Sequence, residues 1–434
     1  MSVERILDGL NPAQNDAVLH RDGPMLVVAG AGSGKTRVLT HRIAHLIEQD
    51  RISPFEILAI TFTNKAAEEM KHRVGAIVGP VAEKMWVSTF HSACVRILRR
   101  DGSLLGYPSA FSIYDQADAV RLTNYVLRDL NIDSKKFPPR TVHARISNYK
   151  NELISSDTAL EQASNIFERK IAESYVEYQK RLRRAGAMDF DDLLTLTVEL
   201  FKENPAALEH YQRRFQHVLV DEYQDTNRAQ NEIIIQLASK HRNLFVVGDS
   251  DQSVYAFRGA DIRNILDFET AFPDTAVVVL DQNYRSTQVI LDAANAVISQ
   301  NEGRKPKNLW TDKAGGKKIV KFQGEDESDE AAFVVNQLTE LHSEENALWS
   351  DIAVFYRTNA QSRVLEERLV RNGIPYKVVG GTRFYDRKEI KDALAYLKLV
   401  VNPSDEVAIK RVINVPKRGI GDSSVAKLDQ WAAN

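Results

Sequence analysis

Met25-Leu-Val-Val-Ala-Gly-Ala-Gly-Ser-Gly-Lys-Thr36 decides the fold of this 434-residue chain. Met25–Val28 is a short apolar run that enters a glycine turn, and Thr36–Ile47 repeats apolar residues at helical spacing, so the stretch reads strand, loop, helix. A phosphate-binding loop needs that context. Its glycines let backbone N–H groups turn toward phosphate, and the helix N-terminus adds partial positive charge. Ala29, Gly30, Ala31, Gly32, Ser33 and Gly34 then form the cradle. Lys35 reaches the β- and γ-phosphates of ATP and Thr36 holds Mg²⁺. Ala29 stands where the general pattern has glycine. Because Gly30, Gly32 and Gly34 alternate, a dinucleotide-binding turn is the rival reading, and Lys35-Thr36 argues against it.

Outward from this stretch, Ile57–Thr61, Lys84–Val87, His217–Val220, Asn243–Val247 and Val277–Leu280 are further short apolar runs, mostly followed by polar turns and helix-like segments. That alternation predicts an α/β fold with a parallel sheet and crossover helices. Between about Ser92 and Arg213 the periodicity turns helical, as in Ala117–Leu130 and Phe167–Arg184, which reads as an insertion between strands. Lys318–Phe322, Ile352–Tyr356 and Lys377–Val379 are expected as strands of a second sheet, and helix resumes from about Tyr385. Arg304–Lys318, rich in Lys and Gly, reads as a loop.

A phosphate cradle needs carboxylates to hold metal and orient water. Val218-Leu-Val-Asp-Glu-Tyr-Gln-Asp225 supplies them at the carboxyl edge of a buried strand, where ligands of such sheets bind. Asp221 is expected to ligate Mg²⁺ and Glu222 to act as general base. The acidic run Met188-Asp-Phe-Asp-Asp192 reads as a helix start capped by its own carboxylates, with a metal site as the lesser alternative. Gly324–Glu330 reads as a solvated helix start.

The length implies about three compact units at ~100–200 residues each. With 57 Lys+Arg against 59 Asp+Glu the formal charge is −2, so any polyanion must be gripped by a local groove and not by bulk charge. The one cysteine, Cys94, excludes a disulfide within the chain and reads as a core thiol. No signal-like leader and no run near ~18 uncharged residues is present, which predicts a cytoplasmic protein with no membrane partner.

Further segments carry a resemblance: Leu10-Asn-Pro-Ala-Gln14, Ile60-Thr-Phe-Thr-Asn-Lys-Ala-Ala67, Ser88-Thr-Phe-His91, Met188-Asp-Phe-Asp-Asp-Leu-Leu194, Val247-Gly-Asp-Ser-Asp-Gln-Ser-Val-Tyr255 and Gln282-Asn-Tyr-Arg-Ser286. Together with the loop and Asp221-Glu222-Tyr-Gln224 they resemble, in order and spacing, the UvrD/PcrA/Rep group of superfamily 1 helicases, over essentially the whole chain. The resemblance implies two RecA-like P-loop NTPase domains, the second incomplete, each with a mainly helical insertion. It places the first domain at 1–92 and 210–280, its insertion at 93–209, the second domain at 281–384 and its insertion from 385 to 434. It implies that Gln14 reads adenine, Tyr284 stacks on the base, Gln252 and Arg285 meet the γ-phosphate, and Arg37 lies beside the nucleotide. For single-stranded DNA it points to Phe62, Thr89, His91, Tyr255, Phe257, Arg258, Arg357 and Asn359. Phe257 lies where close relatives often carry Trp, which predicts a smaller stacking surface.

The activity implied is 3′–5′ translocation on single-stranded DNA and unwinding of 3′-tailed duplex in repair or replication, with repair proteins as possible partners. The motor part of a helicase–nuclease subunit, and a nucleotide-binding interaction module without turnover, are the alternatives. The resemblance also implies that the chain stops inside the second insertion, so impaired coupling of hydrolysis to unwinding is expected.

Overall fold

The computed structural model describes residues 3–302, 304–379 and 387–433. Two compact units divide it: residues 1–316 with 395–434, and residues 317–394. The boundary expected at 384/385 falls outside the described residues.

The first unit is built on a parallel sheet of six strands, β1 Met25–Ala29, β2 Ile57–Thr61, β3 Trp86–Thr89, β6 His217–Val220, β7 Leu244–Gly248 and β8 Ala276–Leu280, in the order β3-β2-β6-β7-β1-β8. A parallel sheet is covered on both faces, so its central strands are continuous aliphatic runs. Every residue of β1, β2, β6 and β7 is buried. Successive side chains serve opposite faces. Leu26, Val28, Leu58, Ile60, Val218, Val220 and Val246 join one apolar cluster, and Met25, Val27, Ala29, Ile57, Ala59, Leu219 and Val247 join the other.

The expected strands of this sheet are all present. Ile57–Thr61 and His217–Val220 match to the residue, while β3 begins two residues later than expected because Pro80–Lys84 winds into a 3₁₀ turn. The insertion is helical as predicted, with helices at Gln116–Asp129, Pro139–Asn151, Ile166–Arg184 and Phe190–Glu203. A two-stranded parallel pair, β4 Ser112–Tyr114 and β5 Ala187–Asp189, was not expected. Three residues are too few to display a period.

The chain from 395 onward packs on this insertion. Val407, in the helix Glu406–Val412, joins the insertion's apolar core. The Tyr114 hydroxyl donates to Asp405 at 2.8 Å, and the Asn402 amide donates to the Ala185 carbonyl at 2.7 Å.

The second unit contains the helices Glu327–Glu344 and Ser362–Arg371. The strands expected at 318–322, 352–356 and 377–379 are not formed: no ladder pairs these segments among the described residues. Most of their apolar residues are exposed, Val320 at 68% and Phe355 at 93%. β-propensity alone does not make a strand, since the backbone donors and acceptors need a neighbour.

Candidate nucleotide site and nucleic-acid interface

β1 delivers the loop 30–34 to the helix Lys35–Glu48. Gly32 sits at φ +67°, in the left-handed region, and a Cβ there would lie 2.6 Å from the Asn283 amide nitrogen. The resemblance-bearing segment 282–286 closes over the loop at this point. Asn283 donates to the Ala31 carbonyl at 2.6 Å and the Tyr284 N–H to the Gly32 carbonyl at 3.0 Å. At Gly30 the space for a side chain is filled by Leu309.

Lys35 and Glu222 face each other, with Nζ 3.1 Å from the carboxylate. The Lys35 ammonium is buried yet makes no aligned hydrogen bond among the described residues. Glu222 supplies one countercharge, and an ammonium without an aligned hydrogen bond keeps donor capacity for a second anion. Glu222 adopts φ +50°, ψ +43°, a strained conformation for a residue with a side chain.

Burial pushes the Asp221 carboxyl up to about 7; the charge of Glu222 adds to this and Lys35 opposes it. A divalent cation would restore its ionised form. Carboxylate and hydroxyl oxygens suit the hard cation Mg²⁺, so Asp221 with Thr36, the second residue of the helix, fits the expected metal.

Gln14 lies against the same loop. Its amide is engaged on both sides, accepting from Asn11 N–H at 3.0 Å in a capping box and donating to the Ser33 carbonyl at 2.9 Å. The Asn11 amide in turn donates to the Tyr284 hydroxyl at 2.9 Å, so Gln14, Tyr284 and the cradle form one wall. Arg285 is exposed beside Asn283, which accepts from its backbone N–H at 2.8 Å. Arg37 is exposed and donates to the Asp8 carbonyl at 3.4 Å. Gln252 donates to Asp249.

Three residues to which no role was given connect this set. Buried Gln224 donates to Glu222 at 3.0 Å and accepts from the Asp249 N–H at 2.9 Å. Buried Asn283 ties the cradle to the Arg285 backbone. Lys307, expected in a loop, is buried 2.6 Å from Asp249.

The candidate DNA residues of the first unit sit where the strands end. Phe62 follows β2 and packs edge-on to Phe90 at 6.0 Å. Thr89 ends β3 and caps the helix Phe90–Asp101. His91 meets Phe190 edge-on at 5.8 Å, and burial lowers its pKa. Phe190 is 48% exposed, and its place in the run Asp189–Asp192 hid it from a reading concerned with caps. The rings of Tyr255 and Phe257 lie 6.0 Å apart, with Phe257 70% exposed. The side chain of Arg258 is outside the described set. Arg357 and Asn359 are exposed in the second unit, described separately.

The acidic run does cap its helix: Asp189 and Asp192 exchange side-chain to backbone hydrogen bonds at both ends of a capping box. Asp326 likewise caps Glu327–Glu344. No helix among the described residues is long and apolar enough to cross a membrane.

Comparison with known proteins gives the same frame. Residues 10–273 match the UvrD/REP helicase N-terminal domain, and residues 278–433 match the UvrD-like helicase C-terminal domain. The chain is 54% identical over 429 residues to the ATP-dependent DNA helicase PcrA of Bacillus subtilis, covering 99% of this chain and 58% of that protein. It is 52% identical over 427 residues to the PcrA proteins of Staphylococcus aureus and Staphylococcus epidermidis, covering 98% and 58%. The chain therefore spans 58% of the length of these relatives. Since models of both domains match, the expectation of impaired coupling draws no support from them. A family model covering residues 10–273, with PcrA relatives matched along nearly the whole chain, makes this chain a member of the UvrD/REP helicase family.

Proposed function

We propose that this chain is the motor of an ATP-dependent DNA helicase that moves 3′ to 5′ on single-stranded DNA and opens 3′-tailed duplex in repair or replication. The observation that carries this reading is the Lys35–Glu222 pair at 3.1 Å, which joins the cradle lysine to a carboxylate beside Asp221. In the proposed reaction the cradle amides and Lys35 hold the phosphates of ATP, and Glu222 takes a proton from water as its oxygen bonds to the γ-phosphorus. The bond to the bridging oxygen breaks, leaving ADP and phosphate. Gln252 and Arg285 neutralise charge on the γ-phosphoryl group. Gln14, Arg37 and Tyr284 hold the base and ribose side. Mg²⁺, held by Thr36 and Asp221, would polarise the phosphate oxygens.

The reading assigns 1–92 with 210–280 and 281–384 to the two motor domains, with helical insertions at 93–209 and from 385. It assigns contact with single-stranded DNA to Phe62, Thr89, His91, Tyr255, Phe257 and Arg258 of the first unit and, separately, to Arg357 and Asn359 of the second, and Phe190 joins the first set through its contact with His91. Repair proteins are natural partners of such a motor, and the cytoplasm its compartment.

The test is ATP hydrolysis by the purified chain with and without single-stranded DNA. Stimulation by DNA supports the motor reading, whereas nucleotide binding with no turnover under either condition leaves an interaction module. Tyr255→Ala and Phe257→Ala are each expected to weaken single-strand binding by ~1–3 kcal/mol with little dependence on base sequence. Fluorescence anisotropy with mixed-sequence and homopolymer oligonucleotides measures this, and parental affinity in both variants would return these rings to a structural role.

A further inference from the structure

Lys307 is an unlikely residue to find buried, and its partners explain where it leads. Its ammonium lies 2.6 Å from Asp249 and 2.7 Å from Asp251, with its side chain only 1% exposed. Arg304 makes a two-pronged contact with Asp251, at 2.9 and 2.7 Å, and donates to the Lys307 carbonyl at 3.0 Å. The other end of this segment is fixed by Asn295, which exchanges two hydrogen bonds with the Leu309 backbone. A residue carried by an expected loop is thus held as firmly as one in the core.

Two hydrogen-bonded routes leave Asp249. Its carboxylate accepts from the Gln252 side-chain amide, and its carbonyl from the Gln252 N–H at 2.9 Å. Its own N–H donates to Gln224 at 2.9 Å, and Gln224 donates to Glu222 at 3.0 Å. A buried ion pair adds little net stability over apolar packing of the same volume. What it does fix is direction, because a carboxylate gripped on one oxygen by an ammonium offers the other at a set angle.

We propose that Lys307 is a positioning residue for hydrolysis: it fixes Asp249, and through Asp249 both Gln252 at the γ-phosphate and, by way of Gln224, the base Glu222. This rests on the reading of the pocket as an ATPase site. It adds a cation, buried against Asp249 and Asp251, that sets the geometry of the two groups assigned to the γ-phosphate and the attacking water.

Lys307→Met keeps the length of the side chain and removes its charge. A small misplacement of reacting groups costs on the order of 10²-fold in rate, so kcat should fall by about that factor. ATP affinity and KM should stay within about threefold, because the cradle and Lys35 are untouched. Lys307→Arg, which restores a cation, should recover much of kcat. Hydrogen exchange gives a readout independent of turnover: amides 249–252 should exchange faster in Lys307→Met while those of β7 stay protected. If Lys307→Met does not fold, Gln224→Met cuts the route to Glu222 alone and should lower kcat at unchanged KM. Failure of the parent chain to hydrolyse ATP would sink the ATPase reading and leave the exchange arm to judge Lys307. Unchanged exchange at 249–252 in Lys307→Met, equal defects in the Met and Arg variants, or a parental kcat in Gln224→Met would overturn the proposal.

Discussion

Glu222→Gln is expected to bind ATP as the parent does and to hydrolyse it about 10²–10⁴ times more slowly, the usual contribution of a positioned general base. The substitution keeps the volume of the side chain and its oxygen acceptor for the Gln224 amide, which now donates to Glu222 at 3.0 Å. It removes the capacity to take a proton and, with it, the charge paired with Lys35 at 3.1 Å. The strained backbone at φ +50° costs the same with either residue, so the fold is not at stake. Lys35→Ala should behave differently. It deletes a cation whose partner Glu222 is partly exposed and can turn to solvent, so it should lose nucleotide affinity as well as turnover while the unfolding midpoint stays close to the parent's. Single-turnover hydrolysis and equilibrium nucleotide binding separate the two. Parental turnover by Glu222→Gln would remove Glu222 from the reaction.

The part of this site that lay open in the sequence is the part whose chemistry is local. Strand, glycine turn and helix are contiguous at 25–47, and the carboxylates of Asp221 and Glu222 follow directly on an aliphatic strand. Both were readable because one short window carries both position and chemistry. The link between them was not. Lys307 follows Arg304-Lys-Pro, a run that reads as a loop, and is buried because Asp249 and Asp251, more than fifty residues earlier, receive it. The same limit shows in the second unit. Ile319, Val320 and Phe355 have the composition of strands, yet a ladder requires a neighbour that no local window contains. Asp189 and Asp192 were legible as helix caps from their spacing. The lysine between them was not, since Lys150 sits in Asn148-Tyr-Lys-Asn151, which looks like an exposed helix face.

That lysine carries a large expected effect on stability. Lys150, buried at the end of the helix Pro139–Asn151, lies 2.7 Å from Asp189 and 2.7 Å from Asp192. Tyr178 donates to Asp189 at 2.9 Å and Gln179 to Asp192 at 3.0 Å. One ammonium therefore helps hold together two helices of the insertion and the start of a third. Lys150→Met leaves the carboxylates buried without a countercharge, a change that typically costs about 3–5 kcal/mol. The pH dependence has a sign that can be worked out. Burial pushes Asp191 up to about 6 and Asp192 up to about 7, and the charge of Asp189 adds to both. Asp189 itself is raised by burial but lowered further by Lys150, so it stays below the usual carboxylate range. A carboxyl raised in the fold favours its protonated form, so Asp191 and Asp192 withdraw stability as pH rises from about 4 through 7 and withdraw no more above that. Asp189 acts in the opposite sense and only below that window. Asp191 and Asp192 thus favour the fold more at pH 6 than at pH 8. The histidines lowered by burial, such as His91, act in the opposite sense in both proteins, so the readout is the difference: relative to the parent, Lys150→Met should gain stability on going from pH 8 to pH 6, because Asp189 has then lost the cation that keeps it ionised. Urea unfolding at the two pH values measures both effects, and a Lys150→Met midpoint equal to the parent's at pH 8 would show that the lysine holds nothing together.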